Sequence, residues 1–566
     1  MFLKQSKNHK GRIHLDFFTG YRKGKSVKQK YVESIGYLDE LEKIYEDPIA
    51  HFKAIAKERT KAESNEPIII DPNVKLNSDS LRKNLGYGFL QIIYHELSIN
   101  EFCKKLQKKS NIDYKINNAL RLLTYTRILQ PSSIKSTFEK KEVYFENFDL
   151  SLKDTYRSLD VLLPYKDQLI KHLYEKLKEM KLSDTTITYY DCTNYYFEID
   201  FNDRDEFNDN GEVVKTGLRK RGPSKENRRD PIVGMGLLLD TNGIPLSYDI
   251  FPGNESEKVT LRPLLNQVKS SFNLSKVIVV ADRGLNTSDN IFFNNNEYNG
   301  YIYSKSVRGA DKEFKQWVLD GFDGDDNMKS RIHTFDIKLE KGNKGNTKTT
   351  VIQKQVVYYS QKYAERTQHN REETLAKAKD LIANPGKYTR ASGYGALGYI
   401  KNIKFNKETG EIINRDLSLD FELIEEEAKY DGYYAIVTSE TKMADDDIVS
   451  TYRGLWMIED AFKVMKSDFK ARPVYLSLDD HIKAHFLICY LALVIARILE
   501  AKLNHNYPLS RIIESLNKYS CSHLQQNYYM FDYRDPIIED LESLYSLDLT
   551  KKYMSQSEIR KILRAK

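Results

Sequence analysis

Three acidic residues set far apart in the chain have neighbours that suit phosphoryl-transfer chemistry. Asp191 interrupts the β-rich stretch TTITYYDCTNYYFEID, which holds few other charges. Asp282 ends the apolar run of SKVIVVADRG, and Arg283-Gly284 turns the chain immediately after it. Glu459 lies in DDDIVSTYRGLWMIEDAFKVMKSDF, where apolar residues recur at helical spacing. Two strand aspartates and a helix glutamate, brought together, offer the hard carboxylate oxygens that Mg²⁺ prefers. Two such ions about 4 Å apart activate an attacking oxygen and stabilise the leaving one. Each residue also has a plainer reading, since a strand-end aspartate commonly caps a turn and a helix glutamate is usually solvated. No Ser-His-Asp or Cys-His nucleophile set stands out.

Basic and aromatic residues lie around these carboxylates. In one continuous helix Tyr452, Glu459 and Lys466, seven residues apart each time, drift only about 20° per step and form a single stripe. A carboxylate between a phenol and an ammonium suits metal binding with phosphate contacts on either side. The alternative is a solvated Glu–Lys face with Tyr at its rim. Trp456, beside the stripe, is expected to pack the helix on a sheet. The loop GLRKRGPSKENRRDP concentrates Arg219, Lys220, Arg221, Lys225, Arg228 and Arg229 shortly after the Asp191 strand. It suits the phosphates of a duplex passing the site, or is a solvated loop. Trp317 is either a stacking platform for a displaced base or a packing residue.

The elements that must position these residues follow from the patterning. Residues 1–65 read as a basic β-hairpin around a Gly-containing turn, then a helix. From 75 to 182 apolar residues recur at three- and four-residue steps, giving either a packing domain or a helical DNA-binding domain containing a helix-turn-helix. Residues 183–307 run strand, strand, strand, helix, strand, helix, the order of a mixed α/β sheet. An alternating segment, 308–430, interrupts it as an insertion. Residues 431–505 supply one more strand and the Glu459 helix, and 506–566 read as a C-terminal helical region. Phe486–Ala496, the most apolar stretch, is too short to span a bilayer and reads as a buried helix.

Composition bounds the class. The 566 residues suggest three or four domains, and 40% apolar with 30% charged residues excludes wholesale disorder. Lys+Arg 88 against Asp+Glu 81 leaves +7, too mild to declare a polyanion partner without the local clusters. Cys103, Cys192, Cys489 and Cys521 show no metal-finger spacing and fit a reducing compartment. The N-terminus MFLKQSKNHKGRIHLDFF has no apolar core, so a cytoplasmic protein without a secretory signal or membrane partner is expected.

The sequence resembles DDE-type bacterial insertion-sequence transposases of the IS-four superfamily, which carries a Tyr-Arg-Glu-Lys signature. Tyr452, Glu459 and Lys466 reproduce the Tyr, Glu and Lys spacing, and Asp191–Thr193 and Asp282–Gly284 look like the other two catalytic blocks. GPSKENRRDPIVGMGLLLDTNGIPLSYDIFPGNESEKVTLRPLL and GYRKGKSVKQKYVESIGYLDEL are similar to one branch of that group. The signature's Arg falls at Leu455; Arg453, the nearby arginine, lies about 100° from Tyr452 on the helix. The resemblance implies an α/β multidomain protein with an RNase H-like mixed-sheet core holding Asp191, Asp282 and Glu459, a mixed insertion and a helical N-terminal DNA-binding region. It implies two Mg²⁺ per active site (Mn²⁺ as substitute), and double-stranded DNA, both terminal inverted repeats and target, as partner. It implies a homodimer in a synaptic complex and cut-and-paste chemistry: cleavage at the element's ends, then transfer of the 3′-hydroxyls into target DNA. The rivals are a catalytically silent transposase-derived repressor and a structure-selective nuclease lacking strand transfer.

Overall fold

The structure is a computed structural model. It describes residues 1–7, 11–23, 26–63, 82–110, 112–226, 228–322, 327–338, 348–388, 395–405, 409, 411–413, 416–524 and 527–564. The chain divides into two units, Met1–Ser80 with His523–Tyr528, and Leu81–Ser522 with Tyr529–Lys566. The expected boundary between 65 and 75 and the expected Gly-containing turn at 24–25 lie outside the described residues.

In the first unit the expected hairpin is a three-stranded antiparallel meander, Phe2–Lys7, Ile13–Lys23 and Ser26–Tyr37. Period-2 alternation turns Leu15 and Phe17 inward. The Phe17 ring meets Phe52 of the helix Pro48–Glu63, with centroids 6.3 Å apart.

The second unit opens with helices, the longest being Ile116–Leu129 and Lys166–Glu179. Pro131 follows the first closely, and Ser151 with Asp154 forms a capping box at the start of Leu152–Leu162. An eight-stranded mixed sheet follows. Its spatial order is Met328–Lys338, Lys348–Tyr359, Tyr433–Thr438, Gly300–Lys305, Ile278–Ala281, Ile187–Tyr196, Ile232–Leu239 and Pro245–Pro252. Ile278–Ala281 pairs in parallel with both its neighbours, and the other pairings are antiparallel. Every residue of Ile232–Leu239 is buried, the state a continuous apolar run demands. The crossover helices are Glu257–Phe272 and Ser288–Asn296.

The segment 308–430 is not a separate insertion throughout. Its hairpin Met328–Lys338/Lys348–Tyr359 extends the central sheet through the pairing of Lys348–Tyr359 with Tyr433–Thr438. Ala378 and Leu381 of its helix Gln361–Ala383 form a small core with Ala396, Ile400 and Leu417, separate from the main one. Among its described residues the region 506–566 holds three helices with short strands between them, so it is mixed rather than wholly helical.

Asp479–Lys502 is the central helix of the core, long and apolar enough to cross a membrane by length and composition, yet 94% of its apolar window is buried in protein. Its Tyr490 hydroxyl lies within hydrogen-bond reach of the carbonyls of Pro245 and Leu246 (3.2 and 3.0 Å). The four cysteines are free and buried.

One buried polar group ties the helical region to this core. Arg127 donates to the Phe469 carbonyl (3.0 Å) and approaches His485 Nδ1 (3.4 Å), while His485 Nε2 lies 3.2 Å from the Ala471 carbonyl. The neutral Nε2–H tautomer satisfies both contacts, and protonating Nδ1 would turn it against a guanidinium. Burial, then Arg127, push the imidazole down from 6.5 to about 3. A histidine held neutral in the fold contributes stability that is complete above the unfolded value and is lost as pH falls through the window from 6.5 to about 3. Lowering the pH from 7 to 5 is therefore expected to remove about 2 kcal/mol of unfolding free energy through this residue. Urea titrations at both pH values check it, with His485→Gln flattening the slope.

Candidate active site

The two aspartates meet through strand register. Ile278, Val279 and Val280 pair in parallel with Ile187, Thr188 and Tyr189. Carrying that register two residues further sets Asp282 beside Asp191 on the neighbouring strand. Paired positions of adjacent strands share a face and lie roughly 5 Å apart, so the carboxylates leave the sheet together. Asp191 is also flanked by Leu237 of the antiparallel strand on its other side. Asp282 caps the short turn Arg283–Leu285, accepting from the Arg283 amide at 2.7 Å, so the turn-capping reading and the site reading hold at once.

Burial raises the Asp191 carboxyl to about 6, with Lys225 and the Cys192 amide opposing and Glu257 and Asp282 adding to the rise. Lys225 Nζ stands 3.7 Å from Asp191 Oδ1 and 3.7 Å from Glu257 Oε1, and donates to the Cys192 carbonyl. Ser304 donates to Asp282 (2.8 Å), and the half-buried Tyr452 side chain lies near both Ser304 and Asp282.

The expected single helix is broken. Asp445–Arg453 and Trp456–Lys463 are separate helices meeting at Gly454-Leu455, and a π-turn, Val464–Asp468, follows. An extra residue in a turn rotates everything after it, so heptad spacing no longer fixes direction. Contacts do: Tyr452 sits by Asp282, and Lys466 sits close enough to Asp191 and Lys225 to feel both charges. Burial, then Lys225, lower the Lys466 ammonium, which lies 3.7 Å from Glu226. Gly454 permits the corner, since a Cβ there would fall 2.2 Å from the Tyr189 hydroxyl.

Glu459 is exposed in the first turn of its helix, whose buried side is Ile458, Ala461 and Phe462. Asp460, its neighbour, is held by Arg497 of the central helix (2.7 Å), and Arg497 also binds Glu500 (2.6 Å). Among the described residues no three His, Cys, Asp or Glu side chains stand close enough to hold a metal ion. Asp191 and Asp282 are adjacent by strand register, while Glu459 is exposed on a helix whose next residue, Asp460, is held by Arg497.

The chain matches the family described as "Transposase DDE domain" over residues 212–495, half of its length, and "IS1634 family transposase, N-terminal domain" over residues 3–71. The chain belongs to the insertion-sequence DDE transposases. The domain match takes in Asp282 and Glu459 and begins after Asp191. A comparison with curated protein sequences gives no match. Among solved structures, a piggyBac transposase synaptic complex with hairpin DNA is similar at 8% identity and TM-score 0.35, over 85% of this chain and 81% of that one. A Mos1 transposase paired-end complex with the left transposon end is similar at 10% identity and TM-score 0.15, over 46% of this chain and 70% of that one. Those scores lie below the level at which a shared fold follows.

The transposase's basic loop is not uniformly presented to solvent. Arg219 pairs with Asp203 (2.6 Å) and Lys220 with Asp205 (2.7 Å), both turned inward by acids of the preceding segment. Arg221 donates to the Asp200 carbonyl but stays exposed, as does Arg229. Arg228 pairs with Asp230 (2.9 Å) and lies over the Tyr196 ring at 3.7 Å. Arg453 is exposed, with its guanidinium 5.7 Å from the Tyr358 ring centroid. Trp317 has Arg331 over its ring at 4.3 Å and packs against the Phe314 cluster, so its face is taken within the insertion. Trp456 does not pack on the sheet; it is 62% exposed, because Ile458, Ala461 and Phe462 turn inward instead. Sequence reasoning missed Ser304, Glu257 and Arg497, none of which carries a distinguishing spacing.

Proposed function

We propose that this transposase is a cut-and-paste DNA transposase with an RNase H-like core, in which Asp191, Asp282 and Glu459 are the catalytic, metal-holding residues. The observation that carries the reading is the Asp191–Asp282 pair, side by side by strand register, in which burial and the neighbouring carboxylates outweigh Lys225. An acidic pair in which burial and a second carboxylate oppose ionisation fits a hard divalent cation. When bound, such ions supply activation of the attacking oxygen and stabilisation of the leaving oxygen of a phosphodiester. The chain's own residues do the rest. Asp191 and Asp282 hold the ions, Glu459 completes the set, and Lys466 offers positive charge to phosphate. Arg221, Arg228, Arg229 and Arg453 contact the duplex, and two copies pair the element's ends. Ser304 and Tyr452 orient Asp282.

Incubating the chain with duplexes carrying its element's ends and Mg²⁺ tests the reading. Wild type should release cut 3′ ends and join them to target DNA; cutting no faster than Asp282→Ala would refute it. A second reading, a catalytically silent DNA-binding protein, is favoured by the lack, among the described residues, of three such side chains grouped to hold an ion. Asp191-dependent Mn²⁺ binding separates the two.

The orienting chain has its own consequence. Tyr452→Phe removes a hydroxyl that lies beside Ser304 and Asp282 and should slow end cleavage about tenfold, as loss of a group supporting a metal-binding carboxylate does. Ser304→Ala should cost about as much, and the double variant little more, because both act through Asp282. Single-turnover rates at saturating Mg²⁺ check it, and additive losses would break the chain of action.

A further inference from the structure

The ammonium of Lys225 occupies the position where cationic charge is needed beside Asp191. It stands equally far, 3.7 Å, from Asp191 and from Glu257, and it is anchored to the Cys192 carbonyl. Its loop is fixed on both sides. Asn194 donates to the Pro223 carbonyl (3.2 Å), and Glu226 is bound by Arg472 and faces Lys466 at 3.7 Å. The backbone therefore stays while the flexible side chain of Lys225, 43% exposed, can swing. Glu257 is the first residue of the helix Glu257–Phe272, and its carboxylate gives the ammonium a second acidic partner besides Asp191. Lys225 and Glu257 both line a cleft of about 370 Å³, with Thr193, Ser224, Ser256 and Gly284 among its other walls.

We propose that Lys225 is the resident counterion of Asp191, and that Glu257 is the seat to which it withdraws when a divalent cation arrives. The inference rests on the metal-binding reading of Asp191 above. A dication beside Asp191 repels an ammonium a few ångströms away, and Glu257 offers the nearest compensating charge. The swing is short and leaves one positive charge at the rim of the cleft, where a phosphate held by the ion would lie. Lys225 and Glu257 are positioning residues: the first competes with the ion and then neutralises substrate charge, and the second acts only through the first.

Mn²⁺ titration of the full chain, followed by the electron paramagnetic resonance of free Mn²⁺, tests this. Lys225→Met should bind Mn²⁺ about tenfold more tightly, since a competing unit charge at this range is removed. It should also cut element ends several-fold more slowly, a split that a general folding defect, weakening both, does not produce. Glu257→Gln should weaken Mn²⁺ binding when Lys225 is present and have no effect in the Lys225→Met background. Mn²⁺ binding unchanged or weaker in Lys225→Met overturns the proposal. So does an equal effect of Glu257→Gln in both backgrounds, which would make Glu257 a ligand. If wild type and Asp191→Asn bind Mn²⁺ alike, the reading of the active site fails and the counterion role with it; that result is distinct from the other two.

Discussion

Asp191→Asn and Asp282→Asn are each expected to lower end cleavage on the order of 10³-fold, while melting at or above the wild-type temperature. The amide keeps the volume and removes the charge. Relieving the repulsion that, together with burial, holds the Asp191 carboxyl near 6 favours the fold, so loss of activity and gain of stability should appear together. Glu459→Gln should cost as much in cleavage, yet its Mn²⁺ affinity should fall far less than that of either aspartate variant. The reason is the arrangement of the side chains: the aspartates are adjacent by strand register, whereas Glu459 is exposed on a separate helix. Isothermal titration with Mn²⁺ beside single-turnover cleavage separates the two effects. Equal loss of Mn²⁺ affinity in all three variants would mean that the glutamate already belongs to the resting site.

What could be foreseen from the residues depended on how local the cause was. The apolar run before Asp282 announces a buried strand because every side chain in it is apolar, and Ile278–Ala281 is such a strand. The order strand, strand, strand, helix, strand, helix gives the mixed sheet, since crossover helices force parallel neighbours. The partner of that strand is not written in its own residues. That Asp282 stands beside Asp191 follows from a register between segments about ninety residues apart. The hairpin 328–359 alternates as any two-stranded ribbon would, and nothing in it says that it joins the central sheet. The Glu459 helix misled for a different reason. Its apolar spacing survives the corner at Gly454 and the π-turn, because the buried residues re-form a face on either side of each break. The inward turn of Arg219 and Lys220 depends on acids at 203 and 205, close in sequence, yet charge counting alone cannot tell a paired arginine from a free one.

Arg497→Met is expected to be the most destabilising single substitution near the site, costing about 3–5 kcal/mol of unfolding free energy. Arg497 lies on the buried face of the central helix and neutralises two acids, Asp460 at 2.7 Å and Glu500 at 2.6 Å. Methionine retains much of the apolar stem but leaves Glu500, 9% exposed at its side chain, without its cation. The sign with pH is fixed by that orphaned acid. An uncompensated buried carboxylate has its folded value raised, so the variant recovers stability below the ordinary carboxylate range and loses it as pH rises through the folded value. The gap between wild type and variant should therefore widen from pH 5 to pH 8 in urea titrations; a constant gap would assign the cost to packing alone. Function should follow, because Asp460 precedes the buried residues Ala461 and Phe462 and adjoins Glu459, so the same contact sets the helix that carries Glu459. Arg497→Lys should recover little of either property, since one ammonium does not span two carboxylates as a planar guanidinium does. Asp460→Asn, which leaves the Arg497–Glu500 pair intact, should slow cleavage with a far smaller cost in stability, separating the glutamate's placement from the integrity of the core.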